Sequence, residues 1–207
     1  MIPYCSGFGN HHKGISISTN RGACWIRMRL TFQKEESLRM HRLNCGRLSD
    51  RFRVRELSES DIPAIYALCC GNRLFYECCG RQNTEEDIRS DMEITPPGKE
   101  LCDKYYVGFF DGTNLAAVMD LIDGYPDDET AFIGFFMLHT AYQGKGTGTE
   151  VVSQVCAYLK QCGFRRVQLG FDKDNPQSRH FWIKNHFAAV QEIPQEGGTI
   201  VLAQRSL

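Results

Sequence analysis

The sequence predicts an α/β fold: one domain over residues 51–207, built on a mixed central sheet flanked by helices, behind a basic and poorly ordered segment, residues 1–50. Three observations predict it. From residue 51 onward, runs of strand length alternate with amphipathic runs of helix length. Two strand runs are joined by Asp111-Gly112, a hairpin signal, because glycine reaches the positive φ of a tight turn without steric cost. A third, AFIGFFML (131–138), passes through a glycine-rich turn straight into a helix.

The elements follow in order. RFRVREL (51–57) alternates as a half-buried strand does. SDIPAIYALCC (60–70) reads as a helix with Ser60 as N-cap and Pro63 in the first turn, where a missing N–H is harmless. Thr84 and Asp87 form a capping-box pattern opening a second helix to about Ile94, stopped by Pro96-Pro97. KYYVGFF and LAAVMDLI flank the Asp111-Gly112 turn as a hairpin. The unbroken apolar run of AFIGFFML implies cover on both sheet faces. In the helix after it, Val151, Val152, Val155 and Leu159 share one face and Gly163 supplies the stop. RRVQLGF is a strand, Asn175-Pro176 opens the helix QSRHFWIKN, and FAAVQEI and TIVLAQ close the chain as strands. Ahead of the domain, 15–32 reads as a ragged hairpin around Asn20-Arg21-Gly22.

Composition removes several classes of function. With 42% hydrophobic and 24% charged residues in 207, the chain has the makings of a packed core and not of a disordered protein. Its longest apolar run falls far short of the ~20 residues of a membrane helix, and the N-terminus lacks the pattern of a secretory signal, so the expected setting is the cytoplasm, away from membranes. The ten cysteines include two vicinal pairs and no C-x-x-C, which reads as free thiols and no metal site. Residues 1–50 hold eight Lys/Arg against three Asp/Glu (net +5), whereas the rest holds 16 against 22 (net −6). A basic arm for nucleic acid is the functional rival for the first segment, but the charge of the domain itself argues against a polyanionic partner.

The segment with the most chemistry is Gln143-Gly144-Lys145-Gly146-Thr147-Gly148. A glycine-rich turn that opens a helix leaves main-chain N–H groups pointing outward at the positive end of the helix dipole, a cradle for phosphate. Lys145 adds a cation. A Walker A loop needs Ser or Thr after Gly-Lys, and a dinucleotide fingerprint needs G-x-G-x-x-G; neither spacing is present.

The pattern that fits is [QR]-x-x-G-x-[GA], the acyl-CoA pyrophosphate loop of the GNAT acetyltransferases. Residues 51–207 resemble a complete domain of that family, in element order, in FMLHTAYQGKGTG and in DNPQSRHFWIKNHF. The resemblance implies acetyl-CoA as co-substrate, with the pyrophosphate on the amides of Gly144 to Gly148 and the pantetheine arm along the backbone of Met137 and Leu138. It also implies that the strand ending at Leu138 and the strand RRVQLGF splay apart. Asn175 stands where the family often contacts the CoA arm, although capping before Pro176 accounts for it equally. Family members commonly dimerise, which makes a homodimer an assembly to expect.

A protonated alkyl amine must lose its proton before it attacks, which costs about 4.6 kcal/mol at pH 7. Asp120 and Asp123 are the candidate bases, and Asp127, Asp128 and Glu129 an acidic rim suited to a cationic acceptor. Turn chemistry and solubility are the plainer account of all five. His139 at the strand end is a further candidate base, more simply an exposed or packing residue. One departure from the family stands out: Trp182 occupies the position where many members carry a Tyr general acid, and an indole N–H donates a hydrogen bond without being an acid near neutrality. The expected function is direct acetyl transfer from acetyl-CoA to a primary amine of a small or peptidic acceptor. The rivals are a non-catalytic acyl-CoA-binding module and a tRNA-directed acyltransferase.

Overall fold

The computed structural model describes residues 43–72, 84–195 and 197–207. The hairpin read at 15–32 and the basic segment as far as residue 42 lie outside the described residues.

Seven strands form one mixed sheet: β1 (Arg53–Glu56), β2 (Lys104–Asp111), β3 (Asn114–Ile122), β4 (Thr130–Leu138), β5 (Arg166–Asp172), β6 (Ala188–Gln195) and β7 (Gly198–Ser206), in the order β1-β2-β3-β4-β5-β7-β6. All neighbours are antiparallel except β4 and β5. Helices α1 (Ile62–Gly71) and α2 (Glu85–Glu93) cover one face, with Ile62, Ile65, Leu68 and Ile88 packed on Tyr106, Val118 and Met137. The other face carries α3 (Thr147–Gln161) and α4 (Pro176–Lys184), through Val151, Val152, Val155, Leu159 and Trp182. The cover on both faces expected of β4 is present.

Local chemistry explains the element ends. Thr84 and Asp87 make both bonds of the capping box at α2: the Asp87 N–H donates to Thr84 Oγ1 at 3.2 Å and the Thr84 N–H to Asp87 Oδ2 at 2.8 Å. Gly112, at φ 61°, takes the first central position of the β2–β3 turn. Ahead of α1 the expected cap shifts: the Ser58 N–H donates to Asp61 Oδ2 at 2.8 Å and a 3-10 turn, Glu59–Asp61, precedes the helix. Asp61 also holds Arg55 at 2.7 Å, and that fixes the entry at Ser58 instead of Ser60.

The start expected at residue 51 falls inside the packed unit, which includes residues from Leu43 on. Leu43 and Leu48 are buried in the α3-side core, the Asn44 N–H donates to the Tyr158 hydroxyl at 2.8 Å, and Ser49 Oγ bonds Gln154 Oε1 at 2.6 Å. Among the described residues no helix is long and apolar enough to cross a membrane, and no cluster of His, Cys, Asp and Glu suits a metal ion.

The feature that positions the site is an opening in the sheet. β4 pairs with β5 only over Thr130–Ile133, opposite Arg166–Leu169, yet remains paired with β3 as far as Leu138 opposite Ala117. β5 follows β7 instead, out to Asp172 opposite Ile200. The break coincides with a bulge: Asp120 faces Phe135 and Leu121 faces Ile133, leaving Gly134 as the extra residue on β4. A bulge bends its strand and increases local twist, which turns the second half of β4 away from β5. The splay expected from the family resemblance is thereby in place.

Candidate active site

The cradle lies where β4 runs into α3. After Leu138, His139 caps a 3-10 turn (Thr140–Tyr142), its Nδ1 accepting from the Ala141 N–H at 3.1 Å. His139 thus works as the cap of this turn, a role that neither reading of its position in the sequence supplies. Gly144 (φ 71°) and Gly146 (φ 81°) then bend the chain through the left-handed region. The Gln143 N–H bonds the Thr140 carbonyl and the Glu150 N–H bonds the Gly146 carbonyl, but among the described residues no acceptor meets the N–H groups of residues 144 to 149. Gly146 is the N-cap of α3 and offers no side chain to satisfy them. The three glycines divide the work. A Cβ on Gly144 or Gly146 meets nothing within 4 Å, whereas one on Gly148 falls 3.0 Å from the Phe181 ring and 3.6 Å from Leu138, so Gly148 is there to let α3 approach α4. Thr147 is buried beside it.

Two side chains expected around the cofactor are engaged elsewhere. Gln143 Nε2 donates to Asn72 Oδ1 at 2.6 Å and to the Leu138 carbonyl at 2.9 Å, tying the end of α1 to the end of β4. Lys145 Nζ donates to the Ala141 carbonyl at 2.8 Å and braces the loop.

The strand edge also differs in detail from expectation. The His139 N–H bonds the Ala116 carbonyl, which sets the alternation along this antiparallel pair. Met137 exchanges both main-chain bonds with Val118, so its backbone is not available to a ligand, and its side chain is buried under α1 and α2. The residues whose main chain faces the opening are Phe136 and Leu138, and the Leu138 carbonyl is already taken by Gln143 and Asn72. What remains on this edge is Phe136 and the Leu138 N–H. Phe136 stacks on Phe181 at 5.9 Å between centroids, and Phe181 packs on Trp182 at 4.9 Å, giving the opening an aromatic wall. Trp182 itself is buried, also against Phe187. Asn175 is buried too, and its Oδ1 accepts from the Ser178 N–H at 2.9 Å, a helix cap.

The carboxylates sort by position. Asp120 faces Phe135 at the head of the opening, on the α1/α2 face, where Lys104 Nζ reaches its Oδ2 at 2.7 Å. Both side chains are under 10% exposed (3% and 7%), so this is a buried ion pair, and Asp120 serves Lys104 as counter-ion. Asp123 lies past the end of β3, its N–H on the Asp103 carbonyl, next to the half of β4 that β5 still covers. That position separates it from the opening. The acidic rim is matched by cations: Arg166 bonds Asp127 at 3.1 Å and Glu129 at 3.4 Å, and Arg165 reaches Glu129 at 3.1 Å. A hydrogen bond from Thr130, aided by Arg166, keeps the Asp127 carboxyl below the ordinary range.

One further acid emerges from packing. Asp91, on the inward side of α2 three residues after the buried Ile88, has its carboxyl pushed up to about 7, chiefly by burial, with Asp120 and Asp87 adding and Lys104 opposing. Burial, with Asp91 and Asp120 nearby, likewise raises the Tyr106 phenol well above its usual value. Asp91 carries no sequence motif; the helical spacing from Ile88 is the signal that points it inward.

Comparison with known proteins accords with this geometry. Residues 72–187 match the acetyltransferase (GNAT) family. Among solved structures, the fold is similar to an acetyltransferase from Thermus thermophilus (22% identity, 74% of this chain and 96% of that one, TM-score 0.61). It is also similar to the Salmonella typhimurium acetyltransferase that modifies the N-terminal serine of ribosomal protein L7/L12 (18%, 77% and 97%, 0.60). A third is the PaiA N-acetyltransferase of Thermoplasma acidophilum in complex with coenzyme A (16%, 74% and 98%, 0.53). No curated protein matches the sequence. With a family match over more than half its length and the opened sheet of the fold in place, the chain belongs to the GNAT family of acetyltransferases.

Proposed function

We propose that this chain transfers an acetyl group from acetyl-CoA directly to a primary amine of a small or peptidic acceptor. The observation that carries the reading is the row of main-chain donors at 144–149, unmet among the described residues, leading to the open β4 edge at Phe136 and Leu138. A diphosphate on such donors gains charge-assisted hydrogen bonds of about 1.5–3 kcal/mol each. The residues fit the co-substrate: Gly144 and Gly146 leave space above the amides, and Phe136 and Phe181 line the way inward. The pantetheine arm then lies against Phe136 and Leu138, as an added strand would.

Calorimetry with acetyl-CoA tests the binding, and thiol release against an amine panel tests the transfer. Since the similar Salmonella enzyme modifies an N-terminal serine, the panel includes a short peptide with a free α-amine beside spermidine and phenethylamine. Micromolar binding with thiol release is expected; no binding at millimolar acetyl-CoA refutes the reading. Trp182 at the position of the family's acid favours one alternative, a module that binds acyl-CoA without catalysis. It predicts binding with no thiol release from any amine.

A further inference from the structure

The opening between β4 and β5 is a window in the sheet, and two sets of main-chain groups border it. One is the strand edge, with Phe136 and the Leu138 N–H; the other is the cradle at 144–149. A ligand that uses both is held well only if the spacing between them is fixed beforehand, because ordering either grip on binding costs entropy. The residues between them, 139–143, make a single 3-10 turn, and such turns are weakly held by their own hydrogen bonds.

Two side-chain amides close this stretch. Gln143 Nε2 donates to the Leu138 carbonyl at 2.9 Å, tying the last residue before the cradle to the end of the strand edge. The same nitrogen donates to Asn72 Oδ1 at 2.6 Å. Asn72, at the end of α1 and 9% exposed, donates through Nδ2 to the Leu68 carbonyl at 2.9 Å and the Leu138 carbonyl at 3.3 Å. Asn72, Gln143 and the Leu138 carbonyl thus form a closed triangle anchored in α1.

The polarity of the triangle is determined throughout. A side-chain amide can turn to offer either its oxygen or its nitrogen. Asn72 has to offer nitrogen to the carbonyls of Leu68 and Leu138, since a carbonyl only accepts. Its oxygen then faces Gln143, which has to answer with nitrogen, and that nitrogen also reaches Leu138. With two donors on its two lone pairs, the Leu138 carbonyl has no capacity left for a ligand. The same peptide unit is held on its other side by the His139 N–H on the Ala116 carbonyl at 2.8 Å. At Leu138 the window edge therefore only donates, which suits a carbonyl oxygen of the ligand.

Resting on the acetyl-transfer reading above, we propose that Asn72 and Gln143 are positioning residues, an amide clamp that fixes the spacing between the strand edge and the cradle. Neither side chain touches the reacting atoms. The clamp turns two grips into one preformed site, so a ligand spanning both gains from each without first ordering the turn. A ligand confined to the cradle gains nothing from it, because the cradle has its own brace in Lys145 Nζ on the Ala141 carbonyl.

The test compares acetyl-CoA with ADP, which carries a diphosphate but no arm to lie along β4. Calorimetry gives the Kd of acetyl-CoA, and displacement of acetyl-CoA gives that of ADP. Gln143→Met keeps length and neutrality while removing the donor. It should weaken acetyl-CoA roughly tenfold and leave ADP unchanged. Asn72→Leu should act in the same direction by releasing Gln143; if it fails to fold, Gln143→Met alone carries the test. The double variant should bind no more weakly than Gln143→Met, because the two amides act as a unit. A merely structural role lowers Tm and leaves both constants where they were, and that result overturns the proposal. So do equal losses for acetyl-CoA and ADP, which would put Gln143 inside the cradle, and additive losses in the double variant. Failure of millimolar ADP to displace acetyl-CoA from the wild type overturns it too, since the cradle is then no grip by itself. A wild type that does not bind acetyl-CoA at all means instead that the underlying reading has failed.

Discussion

Replacing Gly146 by Ala separates the two jobs of the loop. Gly146 sits at φ 81°, and an added Cβ meets no protein atom within 4 Å, so the only intrinsic cost is that of a left-handed L-residue, about 1–2 kcal/mol. In a domain of this size that lowers Tm by roughly 2–8 °C. Gly112, in the β2–β3 turn, has φ 61° and equally open surroundings, and thus serves as a matched control. The two Gly→Ala variants should lose similar stability by calorimetric melting. They should differ in acetyl-CoA affinity: a methyl above the cradle displaces at least one charge-assisted bond of ~1.5–3 kcal/mol, weakening binding roughly 10- to 150-fold. Gly112→Ala should bind as the wild type does. Equal Kd values for the two variants would refute the claim that the space above Gly146 belongs to the ligand.

Three further outcomes follow from the packing. Lys104→Met strands the Asp120 charge in the core and should cost ~3–5 kcal/mol in urea unfolding, most of it regained in Lys104→Met/Asp120→Leu. His186, exposed at φ 66° after α4, is a left-handed non-glycine residue; His186→Gly should stabilise by about 1 kcal/mol, seen as a Tm rise of ~2–4 °C. Asp91 binds its proton more tightly in the folded state, about 7 against an ordinary 3.8, so its contribution is present below pH ~4 and lost as pH rises through 7. Asp91→Asn should therefore stabilise more at pH 8 than at pH 5, and equal effects at both would show that Asp91 is not buried as described.

The parts of this molecule legible in the sequence are those set by local chemistry. Thr84 and Asp87, Asp111-Gly112, the apolar face of α3 and the glycines at 144 and 146 each encode their geometry within a few residues. What is hidden depends on register. The extra residue at Gly134 inverts the alternation along β4, so that Phe136, and not Met137, turns its backbone to the window. Side-chain period alone cannot locate such a bulge. Asp120 reads as a base in sequence because Lys104 is sixteen positions away and reaches it only across the β2–β3 pair. Gln143 fits the family motif, but its partner Asn72 ends a helix in a distant part of the chain. The acidic turn reads as unbalanced for the same reason: Arg165 and Arg166 arrive through the parallel pairing of β4 with β5.

Because the surfaces that would grip acetyl-CoA are peptide groups, recognition there is blind to most side-chain identities. What must be preserved is a count of residues around Gly134 and the handedness of two backbone turns. Gln143 apart, substitutions can accumulate along the loop without touching the grip, whereas deleting Gly134 would remove the bulge that turns the second half of β4 away from β5, and with it the opening. The vulnerability of this protein therefore lies in its spacing far more than in its spelling.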